Sequence, residues 1–243
     1  MKTNKVILTI IVTCFIAFNA TSVGLDSKGD NKGISTAGTQ TKQSQLEMTP
    51  KDALQKLKEG NKRFVEGKMM DRNFKAQVQE TAKGQYPYAV VLSCLDSRTS
   101  SELIFDQGLG DVFNARVAGN FENVDIVGSM EFACKLAGAK LIVVTGHSNC
   151  GAVKGACDKI EMGNLTNVIK QIAPAVESAK TSGERNSKNH DFVEEVSKQN
   201  VIQTIKDIRE RSQILREMEQ KGEIAIVGAM YNLESGKVDF YLD

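Results

Sequence analysis

Surplus charge is almost absent: 31 lysines and arginines stand against 30 acidic residues, a formal +1 over 243 positions. No basic run is interleaved with aromatics, which excludes the electrostatic footprint of a nucleic-acid binder. The five cysteines include no C-x2-C pair, so a structural zinc site closed by short-spaced thiols is excluded. The apolar run at residues 6–18 falls short of the roughly 20 residues a helix needs to cross a bilayer, and no stop-transfer pattern follows it, so no stable membrane span is expected. No internal repeat is visible. Only two histidines occur, and His190 follows the polar stretch Arg185-Asn186-Ser187-Lys188-Asn189, where it reads as a solvated residue at a helix start. That leaves His147.

What is present fills one ordinary domain with extensions, since 41% of residues are hydrophobic. Lys2 and Lys5, the apolar stretch 6–18 and the small residues Ala20-Thr21-Ser22 together form an export signal, residues 1–22, which places the mature protein in the periplasm or outside the cell. Cys14 is removed with it. Residues 23–47 are Ser, Thr, Gly, Lys and Gln with few apolar side chains, and are expected to be a flexible linker.

The folded domain, residues 48–243, opens with a helix capped by Thr49, with Pro50 at its first position, Asp52 reaching back, and Leu54, Leu57, Phe64 and Val65 as its apolar stripe. A polar helix at 74–82 precedes strands at 88–93 and 112–117. Asn123 caps a helix to Ala137 that Gly138 ends. A strand at 140–145 leads to a helix opening at Cys150, then helices at 165–180 and 192–221, then a hairpin-like pair at 224–231 and 237–241. Short, continuous apolar strands alternating with helices predict an α/β fold: a mainly parallel central sheet flanked by helices, with an N-terminal helical arm and a helical C-terminal region.

Two clusters sit where buried strands end. Cys94-Leu95-Asp96-Ser97-Arg98 follows Tyr88-Ala89-Val90-Val91-Leu92, and His147-Ser148-Asn149-Cys150-Gly151 follows Leu141-Ile142-Val143-Val144. Cys94, His147 and Cys150 make a three-ligand zinc set with the fourth tetrahedral position left for water or substrate, which is a catalytic pattern. Cys150 stands near a helix start, whose dipole favours the thiolate. Cys134 and Cys157 fall on apolar helix faces and are read as buried free thiols, not a bridge.

Cys-x-Asp-Ser-Arg followed at this distance by His-x-x-Cys-Gly resembles the β-class carbonic anhydrases. The similarity continues through Gly108-Leu109-Gly110-Asp111-Val112-Phe113 and Ala118-Gly119-Asn120, and covers roughly Leu54 to the C-terminus. The resemblance implies a lyase that reversibly hydrates CO2 to bicarbonate and a proton, with one Zn2+ per subunit whose hydroxide attacks the substrate carbon. Asp96, held off the metal by Arg98, would orient that hydroxide, or, with that pair broken, would itself become the fourth ligand; the family shows both arrangements, and the motif alone does not choose. Phe113, Ala118 and Phe132 would line the CO2 pocket, and the Gln85 amide and the Gly151 N–H would serve the product. The family also implies a homodimer or tetramer, with Gln85 reaching the site of the other subunit and the helix from Thr49 to Gly67 lying across a neighbour. One departure is informative. The bicarbonate-inhibited subtype carries a tryptophan before its first cysteine; this chain has none, and Val91 stands at the matching position, which favours the plant-like, open-site subtype. Two thiolates and a neutral imidazole leave the zinc shell without net charge, so activity should rise towards alkaline pH. Competing readings are a carbonyl sulfide or carbon disulfide hydrolase on the same scaffold and a zinc-binding periplasmic protein without turnover.

Overall fold

The computed structural model describes residues 38–241, within the larger of the two units into which the chain divides, Ser35–Asp243. The expected export signal, and the linker as far as residue 37, lie outside the described residues. In chain order the elements are α1 (Lys42–Glu47), α2 (Pro50–Val65), α3 (Phe74–Thr81), β1 (Ala89–Ser93), α4 (Ser101–Ile104), β2 (Val112–Arg116), and α5 (Val124–Glu131), which runs on into a π-helical turn (Phe132–Leu136). There follow β3 (Leu141–His147), α6 (Gly151–Cys157), α7 (Leu165–Ser178), α8 (His190–Arg211), α9 (Gln213–Gln220), β4 (Ala225–Tyr231) and β5 (Val238–Tyr241).

The five strands lie in the order β2-β1-β3-β4-β5, parallel except for the antiparallel edge strand β5. Period-2 alternation divides the residues of the central strands between two cores. Val90 and Leu92 of β1, with Ile142 and Val144 of β3, join Ile205, Ile208 and Leu215 on the α8–α9 side. Ala89, Val91, Leu141 and Val143 join Ala53, Leu57 and Phe105 on the α2–α4 side. Each such buried Val, Leu or Ile contributes about 1.5–3 kcal/mol of transfer free energy, which is why these strands read as unbroken apolar runs. A third cluster, built by α6, α7 and the start of α8, closes over the carboxyl ends of β1 and β3. Strand order reverses between β1 and β3, and in open α/β sheets ligands bind at that crevice. Among the described residues no helix is long and apolar enough to cross a membrane.

Three expectations are corrected. Residues 42–47 are not linker but the capped helix α1, tied down by buried Gln45, whose amide donates to Pro87 O at 2.7 Å and Ala137 O at 2.8 Å. A single glutamine reaching two orphan carbonyls is invisible to a composition argument. Secondly, α2 does not leave its own chain. Ala53 and Leu57 are fully buried in cis, and Asn61 donates to Ile104 O and Gly236 O and accepts from Val238 N. Gly60 permits the approach, since a Cβ there would lie 1.7 Å from Phe105 O. Thirdly, the helix expected over 192–221 is two helices. Ser212 interrupts it, accepting from Leu215 N to cap α9 and donating to Glu131 at 2.6 Å, so its side chain serves a new start rather than a continuing turn.

Candidate metal centre

Cys94 follows the last residue of β1, and His147 is the last residue of β3, so two parallel neighbours deliver them to the same end of the sheet. Cys150 is the N-cap of α6. The ligand atoms of the three lie within 4.8 Å of one another, and all three residues are buried. The two Sγ atoms stand 4.0 Å apart. Tetrahedral zinc, with bonds of about 2.3 Å to sulfur and 2.0–2.1 Å to nitrogen, would set edges of roughly 3.5–3.8 Å, close to this spacing. His147 Nδ1 is 2.9 Å from Ser148 O, which assigns its proton there and turns Nε2 toward the thiols. Nε2 is buried without a hydrogen-bond partner, the mark of an atom built for a metal. The hydrogen bond between the two thiols drives Cys94 down, and the same bond with burial drives Cys150 up.

Asp96 and Arg98 form the bidentate pair that their spacing allows. Arg98 Nε donates to Oδ1 at 2.9 Å and Nη2 to Oδ2 at 2.7 Å, and the Arg98 backbone N–H adds a third bond to Oδ1 at 3.0 Å. The guanidinium holds the Asp96 carboxyl far below the usual carboxylate range. Asp96 Oδ2 lies 4.0 Å from His147 Nε2, so the carboxylate stands beside the ligand set rather than within it.

Several positioning residues were not anticipated. Arg116, at the end of β2, donates to Cys94 O from Nε at 3.0 Å and from Nη2 at 2.9 Å, and from Nη2 to Asp96 O at 2.6 Å. Thr99 Oγ1 bonds the carbonyls of Cys94 and Asp96 from within the loop. Gly119 N donates to Cys94 Sγ at 3.4 Å, and Gly119 O accepts from buried Asn200 at 2.7 Å. A Cβ on Gly119 would meet Ile172 at 2.5 Å, and its φ of +81° suits only glycine. The Ala118-Gly119-Asn120 match pointed at this turn, but nothing in the sequence singled out Arg116 or Asn200.

The expected pocket residues divide. Phe113 and Phe132 meet edge to face, with ring centroids 6.3 Å apart, and Phe132, the first residue of the π-helical turn, remains 51% exposed. Ala118 is half-buried beside Gly119, and Gly151 is exposed at the first turn of α6 with open space where a Cβ would be. Phe113 pairs with Val90, near the start of β1, and Gln85 does not join the ligands. It precedes β1, at the opposite end from Cys94, and lines a separate cavity of 560 Å³ with Val78, Leu109 and Gly110. His190 is an exposed residue at the start of α8, as expected. Cys134 and Cys157 are free and buried, and burial pushes their thiols up to about 12 and about 11.

Comparison with known proteins agrees with this geometry. A family model described as carbonic anhydrase matches residues 89–238, a span that holds β1 to β4 and all three candidate ligands. Carbonic anhydrase 2 of Mycobacterium tuberculosis is 38% identical over 194 residues, covering 77% of this chain and 91% of that protein. The carbonic anhydrase of Mycolicibacterium smegmatis is 33% identical over 196 residues, covering 78% and 92%. Among solved structures, the β-carbonic anhydrase CcaA superposes with a TM-score of 0.61 at 26% identity, covering 77% of this chain and 87% of that one. The ligand triad at the switch point, the sheet order and these likenesses lead to one assignment: the chain belongs to the β-class carbonic anhydrases.

Proposed function

We propose that this chain is a zinc enzyme of the open-site subtype that reversibly hydrates CO2 to bicarbonate and a proton. The observation that carries the reading is the meeting of Cys94, His147 and Cys150 within 4.8 Å, beside a carboxylate that Arg98 clamps from two nitrogens. Two soft thiols and an imidazole with an orphaned Nε2 suit zinc. Bound there, zinc supplies the Lewis-acid chemistry that makes a hydroxide nucleophile from water near neutral pH.

The chain's own residues do the rest. Arg98 fixes Asp96 outside the ligand set, where Oδ2 accepts the nucleophile's hydrogen bond and aims a lone pair at the carbon of CO2. Ala118 offers an apolar wall and the Gly151 N–H a donor to the bicarbonate oxygens. Phe113, opposite Val90 near the start of β1, and its neighbour Phe132 offer their rings, with Gln85, to the site of a second subunit. The product proton passes to buffer. Gln85 serves the site of a second subunit. A five-residue β1, at about 3.3 Å per residue, separates its ends by roughly 16 Å, which supports action in trans rather than in cis. Exposed Leu95, Leu103, Phe132 and Leu136 support a homodimer or a tetramer. We further propose export to the periplasm under the signal at residues 1–22, which mass spectrometry of the exported chain tests by the loss of that segment.

Metal analysis beside a CO2 hydration assay tests the central reading. The expected result is one zinc per chain, activity that rises towards alkaline pH, and loss of both metal and activity in Cys150→Ser, because a serine hydroxyl does not ionise to match a thiolate. Full metal occupancy in Cys150→Ser would overturn the ligand assignment, and sulfide release without CO2 hydration would move the chemistry to carbonyl sulfide.

A further inference from the structure

Two of the three ligands hang on one short turn. His147 ends β3 and Cys150 caps α6, so Ser148 and Asn149 alone set the distance and angle between an imidazole and a thiol. Asn149 has a φ of +57°, a left-handed conformation that asparagine tolerates better than most residues with a Cβ but that remains disfavoured. The hydrogen bonds around Ser148 are local or come from the neighbouring strand and its turn: His147 Nδ1 with Ser148 O, Ser148 N to Tyr231 O, and Leu233 N to Ser148 Oγ, each at 2.9 Å. None of them touches Asn149. Its backbone N–H donates instead to Glu194 Oε1 at 2.8 Å, across 45 residues of sequence, from the first turns of α8.

Glu194 is not forced into that contact by crowding. Its side chain is 29% exposed and lines a 480 Å³ cavity together with Ser148, Tyr231, Asp191, Glu195 and Asp239. Lys198 also lines the cavity and His190 Nε2 lies 3.9 Å from Glu194 Oε1, so on this open cavity the carboxylate has water, an ammonium and an imidazole available as alternative partners. Its bond to the exposed Asn149 N–H, at 2.8 Å, is nonetheless direct and charge-assisted.

We infer that Glu194 is a positioning residue for the metal: through the Asn149 N–H it holds the His147-to-Cys150 turn in the left-handed conformation that presents imidazole and thiolate to one point. The inference rests on the zinc reading above and deepens it. Glu194 touches neither ligand; it acts on the turn between them, much as partners of metal ligands elsewhere set affinity by fixing orientation. If the carboxylate is removed, Asn149 is free to relax towards negative φ, and the N-cap residue Cys150 moves with it.

Zinc dissociation constants from chelator competition, and the thiolate-to-metal absorption of the Co2+-substituted protein, test this on the full chain. Glu194→Ala should bind zinc about ten- to a hundredfold more weakly and release it faster, with a shifted Co2+ spectrum, while the melting temperature of the metal-free protein stays unchanged. Glu194→Gln keeps an acceptor oxygen without the charge and should recover most of the affinity, which a general electrostatic role would not allow. Asn149→Gly in the Glu194→Ala background should also recover part of it, because glycine adopts positive φ without penalty. If Glu194→Ala fails to fold, Glu194→Asp, with a carboxylate one methylene short, should show the same weakening. Wild-type affinity in the folded Ala or Asp variant, or no recovery in either rescue, overturns the inference while leaving the zinc reading intact. A wild-type chain that binds no zinc removes both.

Discussion

The Asp96–Arg98 pair is where a single side chain decides whether the metal keeps a site for substrate. Arg98 makes every side-chain hydrogen bond that Asp96 receives, and the Asp96 carboxyl is consequently held so low that the pair persists across the whole physiological pH range. Arg98→Ala frees a carboxylate whose Oδ2 is already 4.0 Å from His147 Nε2. The variant should keep its zinc and lose at least about a hundredfold in hydration rate, with only partial recovery at alkaline pH, as read by metal analysis and stopped-flow assay. Near-normal turnover would reduce the pair to a structural role. The two cysteines outside the site offer a separate test. Burial raises Cys134 to about 12 and Cys157 to about 11 from the ordinary 9.0. A thiol raised on folding favours the protonated folded state, so its contribution is complete below pH 9 and is lost as pH climbs through 11 and 12. Iodoacetamide at pH 8 should therefore leave both unmodified in the native protein, and unfolding titrations should show stability falling from about pH 9 upwards. Rapid labelling of either thiol in the folded chain would contradict its burial. The three ligands were legible as residues because each sits beside a strand or helix boundary that hydrophobic periodicity marks. Arg116 was not, because its clamp on Cys94 O and Asp96 O exists only once β1 and β2 pair in register, Ser93 opposite Arg116.

At the scale of elements, the hydrophobic runs located all five strands, and the caps Thr49 and Asn123 located the starts of α2 and α5. Misjudged elements were those whose fate depends on one polar side chain. Gln45 turns the end of an expected linker into α1, Ser212 divides one helix into α8 and α9, and Asn61 binds α2 to its own chain. The last makes a direct prediction. Asn61→Ala removes two donors and an acceptor from a buried junction of α2, α4 and β5, leaving Ile104 O, Gly236 O and Val238 N to find other partners. It should destabilise the protein by at least about 2 kcal/mol in denaturant unfolding. A loss below about 0.5 kcal/mol would show that water replaces the asparagine without cost and that α2 is held by Ala53 and Leu57 alone.

For the whole molecule the decisive question is how a site at one end of β1 acquires Gln85 from the other end. If it comes from a second subunit, light scattering should show at least two chains per particle, and Gln85→Ala should lower kcat/KM by about tenfold, the worth of one hydrogen bond. Mixing Gln85→Ala with Cys150→Ser then discriminates between arrangements. In a mixed dimer the Gln85→Ala chain keeps its ligands and receives an intact Gln85 from its partner, so activity per intact metal site should return to the wild-type value. Failure of mixed dimers, once formed, to exceed Gln85→Ala alone would place the glutamine's effect within its own chain.

The sequence by itself determined the α/β class, the strand ends, the ligand types and the Asp96–Arg98 spacing. These follow from short-range rules: period-2 burial, helix capping, and the chemistry of thiol, imidazole and carboxylate. Only the tertiary structure decided that α2 docks in cis, that Arg116, Asn200 and Glu194 brace the ligand loops, and that Gln85 stands far from its own metal centre. Each of those depends on contacts between residues tens of positions apart, and no local pattern in a single chain encodes which carbonyl or amide will be waiting at the other end.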